Sequence, residues 1–323
     1  MKLGLGLPLN QVTEENLRYA RQLAVTHIVV HSPRLGNRGT LEYIELLRLK
    51  KQIESYDLAL EAIENLPRDH WDKILHGAPG REEQVENVCR TIRNMGQAGI
   101  PILGYCFSLM GVWGHWRAYS AGGGRGGSGV KSFDYELVKD APMAETGPVS
   151  VDEMWERVTW FLERVVPVAE EAGVKLAAHQ DDPPAEELCG TGRLLTSHEA
   201  LARLIETLPS PCNGLEFCQG TVAEMGTDRT VDAIRRFGGQ GKIFYVHFRN
   251  VKGQFPKFDE VFIDEGDVDM FAAMQAYKEV GFDGVMIPDH APSVAGETGY
   301  RHRGMAFSLG YMRALMQAVA RSG

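Results

Sequence analysis

The sequence predicts an α/β protein of the (β/α)8 TIM-barrel class, and three observations support this prediction. Short apolar segments typical of buried parallel strands alternate with segments of helical periodicity along nearly the whole chain. Four of the strand-like segments in the second half end in a metal-ligand side chain: His179, Cys218, His247 and Asp289. These residues are 39, 29 and 42 positions apart, roughly one βα unit each, as expected for parallel strands closed into a barrel.

Eight strands and eight helices are predicted in strict alternation. The strands are residues 2–7, 26–31, 58–64, 100–106, 174–179, 213–218, 243–248 and 284–289. The helices are residues 14–24, 40–56, 81–98, 151–172, 197–207, 228–238, 268–280 and 304–321. Ser150, for example, precedes the fourth helix with Glu153 at the spacing of a capping box. Eight repeats favour a closed barrel over an open doubly wound sheet, and no glycine-rich nucleotide-binding motif follows the first strand.

Length, charge and cysteine content limit the class of protein. We predict a single barrel domain over residues 1–323, because such barrels take about 250 residues plus insertions. The net charge of −9 argues against a nucleic-acid partner, which would require a basic surface. No apolar run approaches the ~18 residues of a membrane span. Five scattered cysteines do not form a disulfide framework, so we expect a reducing, cytoplasmic location.

One segment interrupts the alternation of strands and helices. Residues 107–149 follow the fourth strand and contain the glycine-rich run 121–129. Loops of this length are usually functional or disordered. We therefore predict a long inserted loop on the catalytic face that acts as a mobile lid or as an interface arm in a homo-oligomer. A flexible surface insert is the alternative.

The four strand-end side chains are predicted to form a divalent metal site. A single buried His or Cys is usually structural, but four ligand-type residues at the same end of adjacent strands converge on the face where barrel enzymes bind substrate. Two imidazoles, a thiolate and a carboxylate suit zinc, iron or manganese. Arg249 is a candidate clamp for a substrate carboxylate, with a surface ion pair as the alternative. Lys175 and Glu216 are predicted to form a buried ion pair one layer deeper.

A series of short motifs then suggests a family. In chain order they are Glu64–Pro67, Phe133–Glu136, His179–Pro184, Glu216–Thr221, Val246–Arg249, Gly266–Met270, Pro288–Pro292, Ala295–Tyr300 and Gly310–Met316. Taken together, they resemble the mannonate dehydratase family of the xylose-isomerase-like barrel superfamily. The resemblance covers most of the chain and is clearest from about residue 174 onward.

The resemblance implies a Mn²⁺-dependent dehydration of D-mannonate to 2-keto-3-deoxy-D-gluconate, in the cytoplasmic breakdown of hexuronates. Fe²⁺, Zn²⁺ and Mg²⁺ remain alternatives to Mn²⁺. By their positions in the motifs, the residues that match the family's metal ligands are His179, Cys218, His247 and Asp289. His290 and Tyr300 match its acid/base residues, with their individual roles left open. Arg249 matches a substrate-contacting arginine, and Glu64 is a second candidate for substrate contact.

The chain departs from the family pattern near the expected pocket. Gln219 follows Cys218, where a smaller hydroxylic residue is expected, and Asp264 and Glu265 stand where a histidine is often found. A different aldonate is therefore one alternative substrate. A sugar isomerase or epimerase of the same superfamily is another reading, which the thiolate and two imidazoles disfavour because those sites rely mainly on carboxylates. Outside enzymes, the alternative is a sugar-acid sensor that binds without turnover.

Overall fold

Eight parallel strands form a closed barrel at the centre of the computed structural model, which describes residues 1–35, 39–116, 122–297 and 300–321. In chain order the strands are β1 (Lys2–Pro8), β2 (His27–His31), β3 (Ala59–Glu64), β4 (Ile102–Tyr105), β5 (Lys175–His179), β6 (Asn213–Cys218), β7 (Ile243–His247) and β8 (Val285–Ile287). Each strand pairs with the next one along the chain, and β8 pairs with β1 to close the barrel. The predicted fold class is confirmed, and each predicted strand lies within a few residues of its observed position.

Helices surround the barrel. They are α1 (Glu14–Gln22), α2 (Tyr43–Glu54), α3 (Asp72–His76), α4 (Arg81–Ala98), α5 (Val151–Ala172), α6 (His198–Thr207), α7 (Gln219–Glu224), α8 (Thr230–Gly239), α9 (Met270–Glu279) and α10 (His302–Arg321). The sequence predicts all of these except the short helices α3 and α7. The expected capping box opens α5, where Ser150 and Glu153 each accept a hydrogen bond from the other's backbone N–H. No helix among the described residues is long and apolar enough to cross a membrane.

The barrel interior is packed with side chains. An apolar cluster fills it, formed by Val29, Ala62, Ile102, Ala177, Phe244, Tyr245, Val285 and Ile287. Parallel strands that are covered by helices outside and filled by side chains inside must be apolar on both faces, which explains their Val- and Ile-rich composition. The buried imidazoles and glutamates of the strands, which are Glu64, His179, Glu216 and His247, lie at or near the C-terminal ends.

A second, smaller sheet contacts this C-terminal side. It is antiparallel and consists of Lys131–Asp134, Lys257–Glu260 and Val251–Gln254, with Lys257–Glu260 in the middle. The first strand belongs to the segment 107–149, and the other two lie in the loop between β7 and α9. The described part of the predicted insertion therefore contains regular structure. Its role as a lid or interface arm stays a prediction, and residues 117–121 lie outside the described residues.

Gly104 in β4 provides a test of how tightly the barrel interior is packed. A Cβ atom added there would meet the Tyr245 hydroxyl and would lie 2.7 Å from a carboxylate oxygen of Glu216. We expect Gly104→Ala to lower the free energy of unfolding by about 1–3 kcal/mol through overpacking. The measurement is urea denaturation followed by circular dichroism.

Gly310→Ala is the matched control, because a Cβ at this exposed position of α10 meets no atom within 4 Å. It should raise stability by up to about 1 kcal/mol, since Ala is the better helix former. Equal effects of the two substitutions would contradict the packing described for the barrel interior.

Candidate active site

A cavity of about 320 Å³ opens at the C-terminal ends of the barrel strands. Among the residues that line it are Glu64, Cys106, His179, His247, Asp289 and His290. These residues lie at, or just after, the ends of β3, β4, β5, β7 and β8. The cavity is therefore on the face where barrel enzymes bind their substrates.

Three of the four predicted metal ligands converge beside this cavity. The candidate ligand atoms of His179, Cys218 and His247 all lie within 4.8 Å of one another. The strand register produces this arrangement, because His247 is directly opposite Cys218 on β6 and the two imidazole centroids are 5.4 Å apart. Three separate strands thus place two imidazoles and one thiol at a single point.

Hydrogen bonds leave one nitrogen of each imidazole available for a metal ion. His179 Nδ1 lies 2.5 Å from the Gln180 carbonyl oxygen, which can only accept, so Nδ1 carries a proton and Nε2 is the nitrogen that would bind a metal ion. His247 Nε2 lies 3.0 Å from carboxylate oxygens of both Glu64 and Glu216. His247 Nδ1 is buried and has no hydrogen-bond partner among the described residues. Metal-binding histidines typically have this arrangement, in which the second ring nitrogen donates to a carboxylate or carbonyl.

Glu64 is the carboxylate that sets the protonation of His247. Its other oxygen lies 2.7 Å from His31 Nδ1 at the end of β2. Burial alone would raise the pKa of Glu64, but the imidazoles of His31 and His247 lower it well below its ordinary value. Glu64 is therefore ionised at neutral pH and can only accept a hydrogen bond from the N–H at His247 Nε2.

Cys218 has the chemical form that a metal ligand requires. Burial on its own would raise the pKa of the thiol, but the Arg249 guanidinium and the two imidazoles lower it well below the ordinary value. The Thr221 hydroxyl also donates to the sulfur, at 3.2 Å. The thiolate is the form of cysteine that binds metal ions.

Asp289, the fourth predicted ligand, lies at the edge of this group. One of its carboxylate oxygens is 3.4 Å from His247 Nδ1 and 3.1 Å from Arg249 Nε. Its backbone has φ of +58°, a left-handed conformation that is uncommon for a residue other than glycine and that often occurs at functional sites. Two imidazole nitrogens, a thiolate and a nearby carboxylate together fit a divalent cation.

Glu64, Glu216 and His247 form a second group whose ligand atoms lie within 4.8 Å of one another. Both glutamates approach His247 through the nitrogen that carries the proton, so they fit the role of orienting a metal ligand. The predicted ion pair between Lys175 and Glu216 is wrong. The Lys175 side chain is exposed, and its ammonium lies over the Phe244 ring, outside the layer of polar strand ends.

Arg249 is the centre of a buried ionic network. Its guanidinium lies 2.8 Å from Asp182, 3.1 Å from Glu224 and 3.1 Å from Asp289, and the side chain is 4% exposed. Gly220 allows this close passage, since a Cβ there would lie 2.6 Å from atoms of the Arg249 side chain. A contact between Arg249 and a substrate carboxylate, as predicted from the sequence, would require this network to open.

The structure separates the two predicted acid/base residues. His290 lines the cavity, and its Nε2 lies 3.5 Å from Asp289 Oδ1. The Tyr300 hydroxyl donates to the Gly6 carbonyl oxygen inside the barrel wall, and Tyr300 is not among the residues that line the cavity. Burial raises the pKa of this hydroxyl above its ordinary value.

Several residues of the site could not be recognised from the sequence. Glu224 lies in the short helix α7, His115 lies in a loop, and Glu260 and Lys131 lie in the small antiparallel sheet. All four are away from the ends of the barrel strands, and no motif singles them out. Asp182 carried a weak signal, because two acids follow His179. One of these, Asp181, caps a loop by accepting hydrogen bonds from the backbone of Leu194 and Leu195, and the other binds Arg249.

Comparisons with known proteins agree with the geometry of this site. The model of a family described as "D-mannonate dehydratase (UxuA)" matches residues 10–147 and 143–323. The mannonate dehydratase of Thermotoga maritima is 32% identical over an alignment of 312 residues, which covers 85% of each chain. Mannonate dehydratase 2 of Halalkalibacterium halodurans is 30% identical over 305 residues, covering 85% of this chain and 87% of the relative.

Solved structures extend this comparison. The mannonate dehydratase of Streptococcus suis serotype 2 superposes with a TM-score of 0.88 at 26% identity, covering 100% of this chain and 94% of that one. A D-psicose 3-epimerase from Clostridium cellulolyticum H10 has a TM-score of 0.64 at 13% identity, covering 98% and 99% of the two chains. At that level of identity the second likeness concerns the fold alone.

Substitutions of Cys218 and of Glu216, made one at a time, test which of the two candidate ligand groups binds the metal ion. We expect Cys218→Ala to abolish tight binding of Mn²⁺ or Zn²⁺, because it removes the thiolate ligand. Glu216→Gln should weaken binding by no more than about 10–100-fold, as for a group that only orients a ligand. Calorimetric titration of the metal-free protein measures both effects. A larger loss of metal affinity in Glu216→Gln than in Cys218→Ala would instead indicate that the ion binds between Glu64 and Glu216.

Arg249→Leu tests the role of the ionic network. Removing the cation leaves several carboxylates buried without compensation, so we expect the free energy of unfolding to fall by about 3–5 kcal/mol. Arg235→Leu, which breaks an exposed ion pair with Glu279, should change stability by less than about 1 kcal/mol. A stable Arg249→Leu protein with only a raised KM would instead assign Arg249 to substrate binding.

Proposed function

Because the chain belongs to the mannonate dehydratase family, we propose that it catalyses the metal-dependent dehydration of D-mannonate to 2-keto-3-deoxy-D-gluconate and water. The observation that carries the proposal is the meeting of His179, Cys218 and His247 beside a cavity that also contains His290. We also propose a cytoplasmic location and a role in the breakdown of hexuronates, as the family implies; the five cysteines, all free in the structure, would suit a reducing compartment.

The site residues divide into two functions. His179, Cys218, His247 and Asp289 would hold the cation, which would supply positive charge to stabilise the negative charge that develops on the substrate carboxylate. We propose Mn²⁺, as the family implies. Zn²⁺ and Fe²⁺ are also compatible with two imidazoles and a thiolate, whereas Mg²⁺ is the poorest match because it prefers oxygen ligands.

The reaction requires one proton to be removed and another to be supplied. The proton at C2 passes to a base, the C2–C3 bond becomes an enol double bond, and the C3 hydroxyl leaves as water after receiving a proton from an acid. The enol then rearranges to the 2-keto product. His290 is the imidazole at the cavity suited to one of these transfers, while Tyr300 would have to leave its hydrogen bond to Gly6 to take part.

Substrate contacts come from the cavity wall. Glu64 lines the cavity and would accept hydrogen bonds from sugar hydroxyls. Arg68 supplies a guanidinium to the same wall, and two of its N–H groups donate to the Ser108 and Leu109 carbonyls. Because Arg249 is already bound to protein carboxylates, we propose that Arg68 is the guanidinium that first meets the sugar acid.

A panel of aldonates tests the function directly. The metal-loaded protein should release a 2-keto-3-deoxy acid, detected by the thiobarbiturate reaction, from D-mannonate faster than from its epimers. Turnover of another aldonate alone would preserve the dehydratase reaction but change its substrate. Interconversion of ketose and aldose without keto-deoxy acid would indicate an isomerase, and binding without turnover would indicate a sensor.

His290→Asn should lower kcat by about 10²–10⁴-fold, because it removes a positioned proton-transfer group. Bound metal, measured by mass spectrometry, should be unchanged. His27→Asn is the control, since His27 pairs with Glu61 at the N-terminal end of β2, whereas the cavity lies at the C-terminal ends of the strands. Near wild-type turnover of the His290 variant would exclude it from the mechanism.

A further inference from the structure

Two side chains of the small antiparallel sheet hold the His290 ring. Glu260 Oε2 lies 2.6 Å from His290 Nδ1. Lys131 Nζ lies 3.0 Å from Nε2 and 3.1 Å from Nδ1. Neither residue belongs to a barrel strand, so the imidazole is positioned by the structure that covers the mouth of the barrel.

Strand pairing brings these two residues together. Glu260 and Lys131 are directly opposite each other on neighbouring antiparallel strands, and two residue pairs further along Phe258 is opposite Phe133. Glu260, Phe258 and Phe133 are buried, so this face of the sheet is turned toward the protein. Lys257 and Asp134 form the last pair of the same ladder, with Lys257 largely exposed.

The chemistry of the two neighbours selects one tautomer of His290. Glu260 is ionised, since His290, Lys131 and Arg249 overcome the effect of burial and hold the pKa of its carboxyl well below the ordinary value. A carboxylate can only accept a hydrogen bond, and an ammonium group can only donate one. The shorter contact, between Glu260 and Nδ1, therefore assigns the proton to Nδ1. Nε2 then carries the lone pair, toward which Lys131 can donate.

We propose that Glu260 is a positioning residue for His290, which it holds in the Nδ1–H tautomer, and that Lys131 is its cross-strand partner in this task. In that tautomer Nε2, which lies 3.5 Å from Asp289 Oδ1 and 3.0 Å from Lys131 Nζ, is the basic nitrogen of His290. It accepts the proton from C2 in place of the hydrogen bond from Lys131. This assignment of His290 as the base rests on the dehydratase function proposed above.

The arrangement also gives the segment 107–149 a task in catalysis. Lys131 lies in this segment, and Glu260 lies in the loop that follows β7. Their pairing exists only while the two segments form a common sheet. The hydrogen bond that orients His290 is thus built from two loops that are remote in sequence.

Glu260→Gln is the decisive variant, because it keeps the shape of the side chain and permits its amide to donate to Nδ1. The opposite tautomer then becomes accessible, and we expect kcat to fall roughly 10–100-fold, with KM and bound metal unchanged. Glu260→Asp, which keeps the carboxylate, should recover part of this loss. The control is Asp134→Asn, which breaks the 2.8 Å ion pair with Lys257 on the same two strands without contacting His290.

Nitrogen-15 NMR of the histidine rings tests the tautomer without any turnover. The signals of His290 in the Zn²⁺-loaded protein are assigned from the His290→Asn variant. Nδ1 should be protonated in the wild type, and the population of this Nδ1–H tautomer should change in Glu260→Gln. This measurement needs no substrate, so it separates a failure of the positioning role from a failure of the proposed dehydratase function. If Glu260→Gln does not fold, the spectrum of the wild type alone still shows which ring nitrogen of His290 carries the proton.

Three results would overturn the proposal. The first is a wild-type His290 protonated at Nε2 and not at Nδ1. The second is a Glu260→Gln enzyme whose kcat is within about threefold of the wild type, too small a change for loss of an orienting partner. The third is an equal loss of kcat in Asp134→Asn, which would indicate general damage to the sheet.

Discussion

Buried acidic groups at the C-terminal end of the barrel are the constraint on which the rest of the site depends. Glu64, Glu216, Asp182, Glu224 and Glu260 are all buried there, together with the Cys218 thiolate. Burial and neighbouring acidic groups raise the pKa of Glu216 and of Glu224, so these two favour their protonated form, whereas nearby cations and imidazoles hold the pKa of Glu64 and of Glu260 below its ordinary value. Uncompensated charges in a protein interior are strongly unfavourable, so each needs a cation or a proton nearby. Arg249 supplies the largest compensation, and Lys131 and the imidazoles add to it. A divalent cation held by His179, Cys218 and His247 would complete the balance, which explains why a metal centre suits this position.

Within this charged region His247 links two layers of structure. One of its nitrogens faces the glutamates of the barrel interior, and the other is left without a hydrogen-bond partner beside Asp289. The glutamates thus hold the ring in the state that a metal ion requires. His290, which lies nearer to solvent, is held in the same way, and Glu260 has the role there that Glu64 and Glu216 have for His247. In both histidines, a carboxylate accepts a hydrogen bond from one ring nitrogen, and the other nitrogen is left to bind a metal ion or to accept a proton.

The barrel itself does not specify this chemistry. Epimerases with 13% identity share the fold along almost the whole chain, as expected for a barrel that supports many reactions through different strand ends and loops. The chemistry available to this chain comes from the set of side chains at the ends of β5, β6 and β7, together with the small sheet. Because that sheet combines the segment after β4 with the loop after β7, differences in these two loops change the surroundings of His290 without changing the barrel.

The sequence by itself determined the barrel, its eight strands and the residues that converge at their ends. It could do so because apolar periodicity and βα spacing are local patterns, and because parallel strands in a barrel bring their C-terminal ends to one face. Only the tertiary structure decided which partner each of these residues has. It placed Arg249 among protein carboxylates, Tyr300 in a hydrogen bond with Gly6, and Glu216 beside His247 instead of Lys175. It also brought Glu260 and Lys131 to His290 through strands that pair across more than one hundred residues of chain. Such contacts depend on strand register and on the closure of loops over the barrel, which no local pattern of residues encodes.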